Sequence, residues 1–202
     1  MKKWQLGILL GGIACSCAAF LLFDFRIAAS NTSSEKNIAT TRIGDRLPAA
    51  MQRREKINLV LIGEGPLITA LQKAVEAKMN SAGIGDIELV EEIARIYQGP
   101  VLVLKVAKPS SFWTPFFATS QFTIEAGYSS NGDTNFMRQT PVTLQIRGDL
   151  ALLMYGEYKV SDRSWGIISR PGYHQILADY LAREIVTTLK DLYRVSISGV
   201  PV

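Results

Sequence analysis

The 202 residues amount to 22.2 kDa, enough for one ordinary domain plus an appendage, which excludes a large multidomain enzyme. Hydrophobic residues at 48% and charged residues at 20% exclude wholesale disorder. One His and two Cys exclude a zinc-finger or Cys-rich metal site and a disulfide-stapled mini-protein, and a formal charge of +4 over this length does not point to nucleic acid.

The first element follows Met1-Lys2-Lys3. Residues Trp4 to Phe23 carry no charge, and only Gln5 and Ser16 are plainly polar. Twenty helical residues rise about 30 Å, the hydrocarbon thickness of a bilayer. Three processing routes fit this run. A retained single-pass anchor is favoured by its length and its continuation to Leu21-Leu22-Phe23. A cleaved secretory signal would use the small residues Ala28-Ala29-Ser30, although Asp24 and Arg26 intervene. A lipid-modified Cys would use Ala14-Cys15-Ser16-Cys17, a loose lipobox followed by apolar rather than polar residues. The basic start before an apolar run resembles an export signal, so the remainder is expected outside the cytoplasm. Arg26, Lys36 and Arg42 beyond the run leave the positive-inside count undecided.

Residues 27–56 are mixed and polar, without sustained apolar periodicity, and read as a linker that holds the domain off the bilayer. Asn31-Thr32-Ser33 matches a glycosylation sequon, which matters only in a eukaryotic secretory context. The folded domain is expected over 57–197, with 198–202 as a tail. Ile57–Ile62 reads as a buried strand, Gly63-Glu64-Gly65 as a turn, and Pro66 as the first residue of a helix ending at Gly83. Strands follow at Ile87–Val90 and Val101–Val106. Phe122 to Ser129 and Val142 to Arg147 alternate as half-buried strands, and Leu150 to Val160 is another, bent at Gly156. Asp162-Arg163 reads as a turn. An amphipathic helix then runs from about Pro171 to Tyr193, with Ile176, Leu177, Tyr180, Leu181, Ile185, Leu189 and Leu192 on one stripe. The fold class is α+β: a mostly antiparallel sheet with two amphipathic helices packed on one face, preceded by an N-terminal transmembrane helix.

Chemistry-bearing motifs are scarce. Gly63-Glu64-Gly65-Pro66-Leu67-Ile68 lies between strand and helix, but Ile68 replaces the third glycine of a dinucleotide fingerprint and Pro66 removes an amide donor. His174 is the single histidine. A hydrolase would combine it with Ser164 or Ser169 and a carboxylate, yet Asp179 is five positions on and no nucleophile elbow is present. A place at the surface of the last helix's first turn suits it better. Asn131, Asp133 and Asn135 share part of the pattern of a calcium loop but lack its terminal Glu, and read as a solvated turn. No catalytic residue, metal ligand or cofactor is assigned.

The informative oddity is Phe112-Trp113-Thr114-Pro115-Phe116-Phe117, four aromatics in six residues interrupted by proline. As core residues they would plug the end of the sheet. As a binding surface Phe112, Trp113, Phe116 and Phe117 would meet a protein partner, a lipid surface or an apolar ligand. The Ser129–Thr140 connection, with Phe136 and Met137, is expected beside it, and Trp165 and Tyr173 carry the same two readings near the last helix.

Ile57–Glu92 resembles the opening β-α-β of small envelope modules of the curli-secretion and Tol-system families. Leu150–Leu192, with Ala178-Asp179-Tyr180-Leu181, looks like their strand pair and closing helix. That resemblance implies an α+β domain outside the inner membrane, a non-enzymatic role and protein binding, and it transfers no site residues. The expectation is therefore a membrane-anchored, non-catalytic extracytoplasmic domain. Its lipid contact is the N-terminal helix, its partner an envelope protein, and nucleic acid is excluded. A small-ligand or lipid-binding module is the alternative, with a hydrolase behind it.

Overall fold

The computed structural model describes Gly12 and residues 26–43, 56–90, 96–107, 109–135 and 151–198. The order is β1 (Arg26–Ile43), β2 (Ile57–Ile62), α1 (Pro66–Ala82), β3 (Ile87–Leu89), β4 (Val101–Val106), β5 (Ser110–Trp113), β6 (Phe117–Ser129), β7 (Ala151–Ile168) and α2 (Arg170–Ser198). The strands form one sheet in the order β1-β7-β6-β4-β2-β3, with β5 paired to β6. Among the described residues only β2 pairs in parallel, with β3 and with β4, and the other pairings are antiparallel. The mixed, mostly antiparallel α+β sheet with two helices agrees with the fold class read from sequence.

Local chemistry accounts for α1. Gly63 and Gly65 take φ of 139° and 102°, conformations open to glycine, and Pro66 starts the helix. Leu67, Leu71, Ala74, Val75 and Met79 repeat along one buried face, and Gly83 ends the helix in the left-handed conformation with its N–H donated to Asn80 O. Along β6 and β7 the even-numbered residues face the helices. Ile124, Tyr128, Leu152, Met154, Tyr158 and Val160 join Leu102 and Leu104 of β4 beneath Leu71, Val75, Leu177, Leu181, Ile185 and Leu189. Burying this set supplies the main stabilisation, at about 25 cal/mol per Å² of apolar surface. β4 is buried on both faces because Val60, Tyr97, Val101 and Val103 form a small second cluster.

Three expectations are corrected. Residues 26–43 are not a linker: they form an 18-residue strand paired with β7 without a break, from Arg26↔Ile168 to Ile43↔Ala151. The sheet thus begins at Arg26 rather than Ile57. Asp162-Arg163 is not a turn, since β7 runs straight through it to Ile168. The last helix begins at Arg170 and extends to Ser198. The strand expected at 142–147 lies outside the described residues, as does the apolar run Trp4–Phe23 apart from Gly12. Among the described residues no helix is long and apolar enough to cross a membrane.

Candidate functional site

The aromatic run folds as a hairpin. Thr114 closes it: its Oγ1 accepts from Phe117 N at 3.0 Å, and its backbone N–H donates to Phe117 O at 2.8 Å. The turn is tied to the end of β7, with Ile168 N donating to Pro115 O and Gly166 N to Phe116 O. Strand alternation then separates neighbours. Trp113 pairs with Ala118, whose side chain is fully buried on the helix side, and it packs at the margin of the main core. Its Nε1 is buried without a hydrogen-bond partner among the described residues. Phe112 and Phe117 point to the opposite face, which no helix covers among the described residues.

On that uncovered face the hairpin gains companions from other strands. Phe117 stands across from Trp165 with ring centroids 4.4 Å apart, and Phe112 stacks against Phe117 at 6.4 Å. Ile167 and its β1 partner Ile27 continue the row. Phe116 is 65% exposed and Trp165 62%, and Phe112, Ile27 and Ile167 are exposed as well. Phe112 and Phe117 were singled out from sequence and meet here; Phe116 stands exposed in the turn between their strands, and Trp113 is turned to the other side. Trp165, Ile167 and Ile27 complete the surface. The period-2 spacing of Trp165 and Ile167 is their only sequence signal, visible once β7 is known to pass Asp162.

The second open surface is the sheet edge. β1 pairs with β7 on one side, and among the described residues no strand pairs with its other side. Its helix-facing side is held by polar contacts. Ser30 Oγ and Thr32 Oγ1 each donate to Asp162 Oδ1 at 2.7 Å, while Ser164 Oγ donates to Oδ2 at 2.9 Å. Asp162 is 1% exposed, so these hydroxyls replace the water that a carboxylate loses on burial. Further along, Ser34 meets the Tyr180 hydroxyl, Lys36 pairs with Glu184, and Arg26 pairs with Asp179 at 3.2 Å. Beside Asp162 the hydroxyls of Ser120 and Tyr173 are buried and close to one another, and neither makes a well-formed hydrogen bond among the described residues. Burial, followed by the Asp162 carboxylate, pushes the Tyr173 phenol far above its ordinary range.

On the helix side an open groove of about 710 Å³ runs between the first turns of α1 and α2, lined among others by Thr69, Lys73, Arg170 and His174. None of the four aromatics lines it. His174 is half-buried, and its Nδ1 has no partner among the described residues; burial, then Arg170, lowers its basicity. Asp179 is bonded to Gln175 and Arg26, and Ser164 donates to Asp162, so neither is directed to His174. Ser169 Oγ accepts from Gly172 N and caps α2. The Asn131–Asn135 turn is closed by its own Asx bonds, Asp133 N to Asn131 Oδ1 and Asn135 N to Asp133 Oδ1. Among the described residues no three His, Cys, Asp or Glu side chains converge to hold a metal.

Among the described residues these features define an α+β module with one helix-covered sheet face, a second face that no helix covers and that is partly closed by the Val60–Tyr97–Val101–Val103 cluster, and one open edge. No protein-family model and no curated protein matches the sequence. Among solved structures, PelC from Paraburkholderia phytofirmans, solved as a dodecamer in two space groups, is 12% and 13% identical with a TM-score of 0.34, covering 74% of this chain and 95% of its own. A minor lipoprotein from Acinetobacter baumannii is 13% identical with a TM-score of 0.34, covering 73% of this chain and 97% of its own. Likeness at that TM-score carries no weight for fold or function.

Proposed function

We propose that the chain is a membrane-anchored, non-catalytic domain outside the cytoplasm, held by Trp4–Phe23, that binds an envelope protein partner. The partner contributes an extended segment that pairs with β1 as an added strand. The observation that carries this reading is the edge itself: 18 residues in unbroken register with β7, free of proline, with no second neighbour among the described residues. Such an edge presents a row of backbone donors and acceptors that templates pairing with another chain. Edges are ordinarily blunted by proline, bulges or short length, and β1 has none of these. Its bare-face residues, Asn31, Ser33, Glu35 and Asn37 among them, are exposed and polar, so the edge stays soluble until a matching strand arrives.

The test is site-specific photo-cross-linking of the full-length chain in native membranes, from Asn31, Glu35 or Asn37 and, for comparison, from the exposed Glu76 of α1. A discrete envelope protein recovered from the β1 positions and absent from Glu76 supports the reading. No adduct from β1, or the same adducts from both surfaces, overturns it.

A further inference from the structure

The exposed aromatic end of the bare face lies at the place where the chain leaves the apolar run. Phe23 closes that run, and β1 is rigidly paired from Arg26 onward. Three residues reach at most about 10 Å even when fully extended. The headgroup layer on each side of a bilayer is about 5–8 Å thick. A span ending at Phe23 therefore brings the Arg26 end of the sheet to the headgroups, with no tether to lift it away. That end is also the β5–β6 turn and the close of β7, because Ile168 pairs with Arg26 and donates to Pro115 O.

We infer that this end of the sheet rests in the interfacial layer of the bilayer, with Phe116, Phe112, Trp165, Ile27 and Ile167 against lipid. The inference rests on the reading of Trp4–Phe23 as a retained span. Aromatic rings with a polar margin are suited to the headgroup level, and cations beside them add attraction to anionic lipid. Arg163, two positions from Trp165 on the same face, is exposed, and so is Arg170, at the start of α2 just beyond Ile168. Among the described residues, the Asp179 carboxylate beside the start of β1 is paired with Arg26, and Asp162 is buried. Farther from the membrane the bare face changes character: Glu125, Lys105 and Lys159 take over, with Lys105 and Glu125 paired at 2.9 Å. Among the described residues the exposed aromatic side chains gather at the end that the anchor places at lipid; the other large exposed apolar residues, Leu89 and Ile96, are aliphatic and stand apart from it.

The full-length chain reconstituted in phosphatidylcholine–phosphatidylglycerol vesicles tests this. Some vesicles carry a nitroxide-labelled lipid with the label near the headgroup, others with the label deep in the acyl chain. The signal is the difference in tryptophan fluorescence between the wild type and Trp165→Phe, a substitution at an exposed position that leaves the core intact and cancels Trp4 and Trp113. Loss of the Trp165 signal with the shallow label, and much less with the deep one, is expected. Phe116→Asp is expected to reduce that loss. An unquenched Trp165 in chains that float with the vesicles and resist alkaline extraction overturns the inference while the anchor stands. Chains released by alkali show instead that the anchor reading, and the inference with it, is wrong. Quenching that varies with the protein-to-lipid ratio rather than label depth means a second copy covers the patch, and this too overturns it.

Discussion

Asp162 should be the clamp that converts a polar segment into a strand, and Asp162→Ala tests this. The carboxylate accepts from Ser30 and Thr32 at 2.7 Å and from Ser164 at 2.9 Å while 99% of its surface is out of water. A hydrogen bond to a charged acceptor contributes about 1.5–3 kcal/mol, and a stranded buried hydroxyl costs about 1–3 kcal/mol. Ser30 is exposed and Thr32 half-buried, so water recovers most of their loss; Ser164 is fully buried and does not regain a partner. Relief of the buried charge offsets part of the remainder. The expected net destabilisation is about 2–4 kcal/mol. Asp162→Asn, which keeps an acceptor and the volume, should lose about half of that. Urea unfolding of the full-length chain in detergent gives the magnitude, and hydrogen exchange by mass spectrometry gives the location, with residues 26–34 losing protection first. A change below about 0.5 kcal/mol, or a loss with β1 protection unchanged, refutes the clamp.

Gly156→Ala should destabilise by about 1–3 kcal/mol, because a Cβ there would lie 2.1 Å from Asn37 O and 2.6 Å from Ile38 Cα; chemical denaturation showing no change would remove the close approach of β1 and β7. Tyr173→Phe removes a buried hydroxyl that faces Asp162 and Ser120 without a well-formed hydrogen bond to either, so stability should change by less than about 1 kcal/mol, and a clear loss in thermal unfolding would reveal a bond from the hydroxyl to the Asp162 carboxylate. Burial and Arg170 hold the His174 basicity below its unfolded value, so the unfolded chain binds the extra proton first. Stability from this group is then complete above the unfolded pKa near 6.5 and declines as pH falls toward the lower folded value. His174→Gln should flatten that portion of the stability–pH curve; an unchanged curve contradicts it. Tyr158 should titrate at about 12, raised by burial, and spectrophotometric titration of the wild type against Tyr158→Phe checks it.

Apolar periodicity made most of the sheet and both helices readable in the sequence. Leu67 to Met79 follow one buried helix face, and Val101–Val106 is buried because both sheet faces are covered there. β1 escaped that logic because its inner positions, Ser30, Thr32 and Ser34, alternate in hydroxyls rather than apolar groups. Their counterparts are a carboxylate and the Tyr180 hydroxyl, so the strand carries a period of 2 written in polar chemistry. Asp162-Arg163 has turn-like composition for the same reason, since an aspartate in mid-strand is tolerable only where neighbouring strands supply donors. The aromatic run was legible as a surface but not in its division. Successive residues of a strand face opposite ways, which sends Trp113 to the helix side and Phe112 to the bare face, where Trp165 joins from a strand fifty residues away.

Both surface assignments rest on β1 being a fixed part of the sheet from its first residue. Amide hydrogen exchange of the full-length chain in lipid nanodiscs measures that directly. The account predicts that peptides from Arg26–Ile43 contain slowly exchanging amides, protected comparably to the β7 amides with which they pair. Exchange across 26–43 at the rate of an unstructured chain, with β7 still protected, would contradict it: the segment would be a tether, the free edge would belong to β7, and the aromatic end would no longer be held at the bilayer.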